Sequence, residues 1–160
     1  MNPAQIHLLT THLPVLGFVF AAALAAAGVL RGSDELKKAG LWAFALAALS
    51  SIPPYFSGEG AEELVEHLPG VGEGLIHAHE EAAEKAFAGA LLVGAAAFAA
   101  LAHARVRGAL WPKAAAAVLA LSLPVVVLLS YAAHLGGLVR HPELRPGTAV
   151  PAGDPEEAHD

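Results

Sequence analysis

The side chains of this chain best suited to chemistry are its nine histidines. Two of them, His7 and His12, stand in the run Ile-His-Leu-Leu-Thr-Thr-His-Leu-Pro (6–14), at the doorstep of an uncharged apolar segment. An imidazole that must shed water at a bilayer edge is kept where it finds a hydrogen-bond partner, a metal or a cofactor. His79 is followed by Glu80 and Glu81, and a carboxylate beside a ligating imidazole can receive its second N–H and fix the tautomer. His134 falls in the last turn of an apolar run, beside Tyr131. Gly136-Gly137 then precede Arg140-His141-Pro142-Glu143, a turn able to carry His141 back over the helix end. Two such imidazoles from different helices suit the axial positions of a b-type haem, with Arg140 on a propionate and Glu80 as second acceptor. Three or four of them, from His7, His12, His79, His134 and His141, would suit copper, zinc or iron instead. Spacing limits the choice: residues five apart on an unbroken helix differ by about 140°, so His7 and His12 cannot both face one ligand directly. His77 and His79, two apart, point to nearly opposite helix faces.

Composition says where these residues sit. Of 160 residues, 56% are hydrophobic and 15% charged, and mean hydropathy is +0.54, the composition of a membrane protein. Nine Lys plus Arg against fifteen Asp plus Glu give a net charge of −6, which leaves no basic surface for nucleic acid. The absence of cysteine excludes disulfides, thiolate metal sites and thioether-linked haem. The first apolar run lacks the basic start and small-residue cleavage site of a signal peptide. There is no Gly-rich phosphate loop, His-Glu-x-x-His helix or serine elbow, and an electron-transfer or accessory subunit is expected rather than a stand-alone enzyme. The middles of the apolar runs lack ionisable groups, which disfavours a transporter.

The elements that must position the histidines are four apolar runs long enough to cross a bilayer as helices, 13–30, 39–56, 86–102 and 114–133. Pro14 falls where a first-turn proline costs least, and Gly17 and Gly28 offer thin faces for close helix contact. Pro53-Pro54 should stop or kink the second run, and Pro124 the fourth. Between the second and third runs lies a stretch rich in glutamate (57–84), read as two short amphipathic helices on the membrane surface, about 61–68 and from 75 onward, divided by Pro69-Gly70. The second should continue into the third span. The expected fold is all-α, an integral membrane four-helix bundle in up-down-up-down order over residues 1–141, with a disordered acidic, proline-rich tail over 142–160.

Six of the nine basic residues, Arg31, Lys37, Lys38, Arg105, Arg107 and Lys113, fall in the turns after the first and third spans. The positive-inside bias makes those turns cytoplasmic and puts both termini in the periplasm of a bacterial inner membrane. Every histidine but His103 is then on the outer face. Of these, His67, His77 and His159 read as solvated surface residues.

The segments His7-Leu-Leu-Thr-Thr-His12-Leu-Pro14, Gly60-Ala-Glu-Glu63, His79-Glu80 with Ala82-Ala83, and Leu135-Gly-Gly-Leu-Val-Arg-His141-Pro-Glu143 resemble a family of small four-span bacterial membrane proteins to which no activity is attached. More distantly, the chain resembles a broader membrane family with an N-terminal "His, then His-Phe-Pro" signature, whose members can be joined to Rieske or cytochrome-type domains. Here Leu13 stands at the usual Phe position. The resemblance implies His7, His12, His79, Arg140 and His141 as the residues of interest, and constrains position 134 less. The leading expectation is a membrane protein with b-type haem at an outer His cluster, relaying electrons between quinol and a periplasmic cytochrome or Rieske-type partner. The alternatives are a non-haem copper, zinc or iron site, or an accessory subunit of a larger respiratory or photosynthetic complex within the lipid.

Overall fold

The computed structural model describes residues 1–66 and 71–145; the Pro69-Gly70 divide, His67, His159 and the tail from 146 lie outside them. Among the described residues there are six α-helices and no strand: α1 (Pro3–Thr10), α2 (His12–Arg31), α3 (Asp34–Ser50), α4 (Ile52–Val65), α5 (Glu73–Arg107) and α6 (Ala114–Arg140), followed by a 3₁₀ turn, Pro142–Leu144.

Three prolines explain why six helices make four long ones. A helical carbonyl is normally met by the N–H four residues on, and proline has none. Pro14 therefore interrupts the helix at Thr11, and Pro53 with Pro54 interrupts it at Ser51. Both interrupting residues keep right-handed helical dihedrals (φ −57°, ψ −32° and φ −78°, ψ −14°). The chain thus makes four helices long and apolar enough to cross a membrane, Pro3–Arg31, Asp34–Val65, Glu73–Arg107 and Ala114–Arg140. Pro124 is held inside α6 without ending it.

The helix ends are set locally. Asn2 and Gln5 form a reciprocal capping box, 2.9 and 3.1 Å, with Pro3 next. Gly32, at φ +67°, closes α2 in the left-handed conformation that glycine adopts without a Cβ clash, and Ser33 caps α3 through Leu36 N, 3.3 Å. At the far end Arg145 folds back, donating from Nε to Leu138 O (2.9 Å) and from Nη2 to Val139 O (3.1 Å), which satisfies last-turn carbonyls of α6.

One expectation about this region is corrected. The acidic segment from residue 61 is not a separate surface helix: α4 runs through it to Val65, because its Glu, Ala and Leu residues favour helix and no proline intervenes. The second acidic segment does run into the third apolar run, as one 35-residue helix. At 1.5 Å per residue that is about 50 Å, well beyond a hydrocarbon core of about 30 Å. Its first turns, which carry His79, therefore extend past the apolar part.

The core of the four-helix bundle is built around Phe18, Leu41, Phe44 and Val93, all fully buried, with alanine the commonest of the other buried apolar residues. Phe18 and Phe44 meet edge to face at 5.6 Å. Helix α2 lies along α3, α3 on α5, α5 on α6 and α6 back on α2. The outward faces carry Leu16, Phe20, Leu46 and Val127, each more than half exposed.

Candidate functional site

His7 on α1 and His79 on α5, 72 positions apart in sequence, line one cleft. Their ring centres are 6.2 Å apart and their planes nearly perpendicular, at 87°. Both rings are half-buried. The cleft encloses about 90 Å³, and its walls come from α1 and α2 (His7, Pro14), α4 (Pro54, Tyr55), α5 (His79, Phe87) and α6 (Ala132).

Backbone carbonyls hold each ring in place. His7 Nδ1 donates to Pro54 O at 2.8 Å, and His79 Nδ1 donates to Ala132 O at 2.9 Å. A carbonyl oxygen only accepts, so in each neutral imidazole the proton is on Nδ1 and Nε2 carries a lone pair. Each Nε2 is thereby left free to bind a metal ion or to accept from a hydrogen-bond donor.

Small residues make this approach possible. A Cβ on Gly136 would lie 3.0 Å from His79 Cε1 and 3.4 Å from its Nδ1, so the ring occupies the space a side chain there would need. Gly58 faces His7 more loosely, with an added Cβ 3.7 Å from its Cε1. On the α4–α5 side Tyr55 and Phe87 stack in parallel, ring centres 4.0 Å apart and planes at 9°, with Phe56 edge-on to Tyr55 at 5.4 Å.

The other expected residues are placed apart from this cleft. His12 and His134 are exposed and do not line it. His141 is exposed and its Nδ1 meets Glu143 Oε1 at 2.8 Å, while Arg140 is exposed at the end of α6. The hydrogen bond from His141 and the Glu143 backbone N–H hold the Glu143 carboxyl below its ordinary range, the backbone bond contributing most. Among the described residues no three His, Asp or Glu side chains converge as a metal-ligand set. The role foreseen for Glu80 is also corrected. His79 gives its N–H to a backbone carbonyl on α6 rather than to the adjacent carboxylate, and Glu80 hydrogen-bonds Glu62 across the α4–α5 contact. Glu81 pairs with Lys85 at 2.7 Å.

Sequence reasoning missed the two carbonyl acceptors and the Glu62–Glu80 pair. A carbonyl has no sequence signature, although Pro54 and Gly136 gave a partial signal as residues that disturb regular helix packing. Comparisons with protein families, curated proteins and solved structures return no match to this chain.

Proposed function

We propose that this chain is a four-span membrane protein that holds one redox-active transition-metal ion between His7 and His79 and passes single electrons through it. The observation that carries the reading is the pair of imidazoles, each with Nδ1 tied to a carbonyl of another helix and Nε2 left as a lone pair. Metal-bound histidines are characteristically oriented in this way. With ring centres 6.2 Å apart, the two imidazoles are near enough for both to be held by one ion. Copper and iron suit such nitrogen donors. A cleft of about 90 Å³ has room for an ion with one or two waters completing its coordination.

Haem b is the second reading, favoured by ligand number, since two imidazoles complete an axial set and fall short of the four ligands of a closed ion site. Against it stands the volume, because ligands of porphyrin size occupy pockets of roughly 300–1,000 Å³. Haem would require α1 and α4 to move away from α5 and α6. Helix α1 packs mainly on α4, and α4 touches α5 only lightly, so the cleft lies along the weakest seam of the fold.

The wider reading keeps the alternating order of crossings in a bacterial inner membrane, with the basic turns cytoplasmic and the termini and His7–His79 cleft periplasmic. Residues from the start of the first long helix, the middle of the second, the early part of the third and the last turns of the fourth share the cleft, which supports that order. Quinol and a periplasmic redox protein are the partners this placement suggests.

The test is metal content and visible spectrum of the purified chain, with and without dithionite, for wild type, H7A, H79A, H12A and H141A. One copper or iron per chain, lost in H7A and H79A and kept in H12A and H141A, is expected. A dithionite-sharpened Soret and α band that vanishes in H7A and H79A moves the assignment to haem. Neither metal nor chromophore in wild type, or metal kept in both H7A and H79A, ends the proposal.

A further inference from the structure

A second recess lies away from the histidine cleft. It is a groove of about 300 Å³ between α5 and α6 at the opposite end of the bundle, floored by Ala96 and Ala100 on one helix and Ala114 and Ala117 on the other. Alanine on both helices leaves a trough, open along one side, where larger side chains would have filled the surface. His103 and Trp111 form its rim.

The charge around the mouth is of one sign. Arg107 is one helical turn beyond His103, on the same face of α5 as Ala96 and Ala100, and Lys113 is the N-cap of α6 directly before Ala114. Among the described residues no carboxylate pairs with Arg107 or Lys113, and both are exposed. Trp111, 65% exposed, sits where an indole would meet the headgroup level of a bilayer.

We propose that this groove binds an anionic phospholipid, with an acyl chain in the alanine trough and the phosphate held by Arg107 and Lys113. Basic pockets between membrane helices at the cytoplasmic surface are suited to anionic headgroups. A second copy of the chain is the competing occupant, and charge argues against it. A two-fold dimer about this groove brings each patch against itself, so Arg107 and Lys113 of both copies would face like charge. An anionic lipid neutralises the same residues.

The test uses the full chain in detergent, titrated with phosphatidylglycerol or with phosphatidylcholine of identical acyl chains. Retained lipid is counted by native mass spectrometry, and the melting temperature is followed in parallel. Phosphatidylglycerol should be retained at least about tenfold more than phosphatidylcholine and raise the melting temperature further. Glycerol 3-phosphate, the headgroup without chains, should do neither. R107Q/K113Q should abolish the preference for the anionic lipid. Groove-filling A99L and A117L, at exposed lining positions, should lower retention of both lipids with the charges intact. Equal retention of the two lipids by wild type, a preference surviving in R107Q/K113Q, or a dimer that A99L or A117L converts to monomer overturns the proposal.

Discussion

His7 and His79 illustrate how much a site depends on residues that carry no chemistry. Each imidazole is aimed by a carbonyl on a neighbouring helix that also sets a glycine beside the ring. The two glycines are not equivalent. A methyl at position 136 must push the His79 ring by a few tenths of an ångström, whereas at position 58 it meets His7 at ordinary contact distance. G136A is therefore expected to weaken metal binding by roughly tenfold or more, the scale of a lost orienting partner. It should keep or gain stability, since alanine outranks glycine in a helix by up to about 1 kcal/mol. G58A should leave binding unchanged. Metal titration beside thermal unfolding of both variants separates these outcomes, and equal affinity for G136A and wild type would show that the His79 ring position is not critical. The candidate site was only half legible in the chain. His7 and His79 stood out as residue types in an unfavourable setting, but nothing in their letters set them above His12 or His141. That difference depends on which carbonyls the folded helices bring near.

At the scale of elements, the bundle is drawn together where a side chain is missing. A Cβ on Gly40 of α3 would come 2.6 Å from Ala25 N of α2, and one on Gly28 of α2 would come 2.5 Å from Lys37 N. Gly94 of α5 would place its Cβ directly against the Ala48 side chain of α3. Contact of this kind draws helices together through van der Waals packing of their backbones. The obstacle at Gly40 is backbone, which cannot turn aside, so G40A should destabilise the chain by about 1–3 kcal/mol. At Gly94 the obstacle is an alanine methyl on a neighbouring helix, and G94A should cost a similar amount. Unfolding followed by circular dichroism in detergent measures both, and wild-type stability for G40A would mean the α2–α3 contact is looser than described. The long helices were readable from uncharged length alone, and Gly17 and Gly28 were readable as thin faces. Gly40 and Gly94 were not, because a glycine amid alanines looks the same whether it faces lipid or a backbone. The run of α4 through its acidic segment was obscured because a Pro-Pro pair reads as an end, although in the first turn of a helix it serves equally as a beginning.

For the whole molecule, the same seam is bridged twice, once by the imidazole pair and once by acid. Glu62 of α4 lies past the apolar part of its helix. Its hydrogen bond to Glu80 of α5, partial burial, and the charges of Glu80, Glu66 and Glu59 push its carboxyl up to about 7 from the ordinary 4.5. Two carboxyl groups in contact can bond only while they share a proton. The sign of the consequence follows from linkage. A folded-state value above the unfolded one means the native chain binds the extra proton, so this contribution is fully present below about pH 4.5 and is lost as pH rises through about 7. Glu62 is only part-buried, so solvent still screens the effect and salt should shrink it. The melting temperature of wild type is expected to fall between pH 5 and pH 8, and E62Q, which donates its amide to Glu80 at every pH, should flatten that fall. The comparison is between the two slopes rather than within either. Because α4 also carries the carbonyl that aims His7, loosening it from α5 should reduce metal affinity at pH 8 in wild type more than in E62Q. Identical pH slopes for the two proteins would mean that the shared proton does not hold the seam closed.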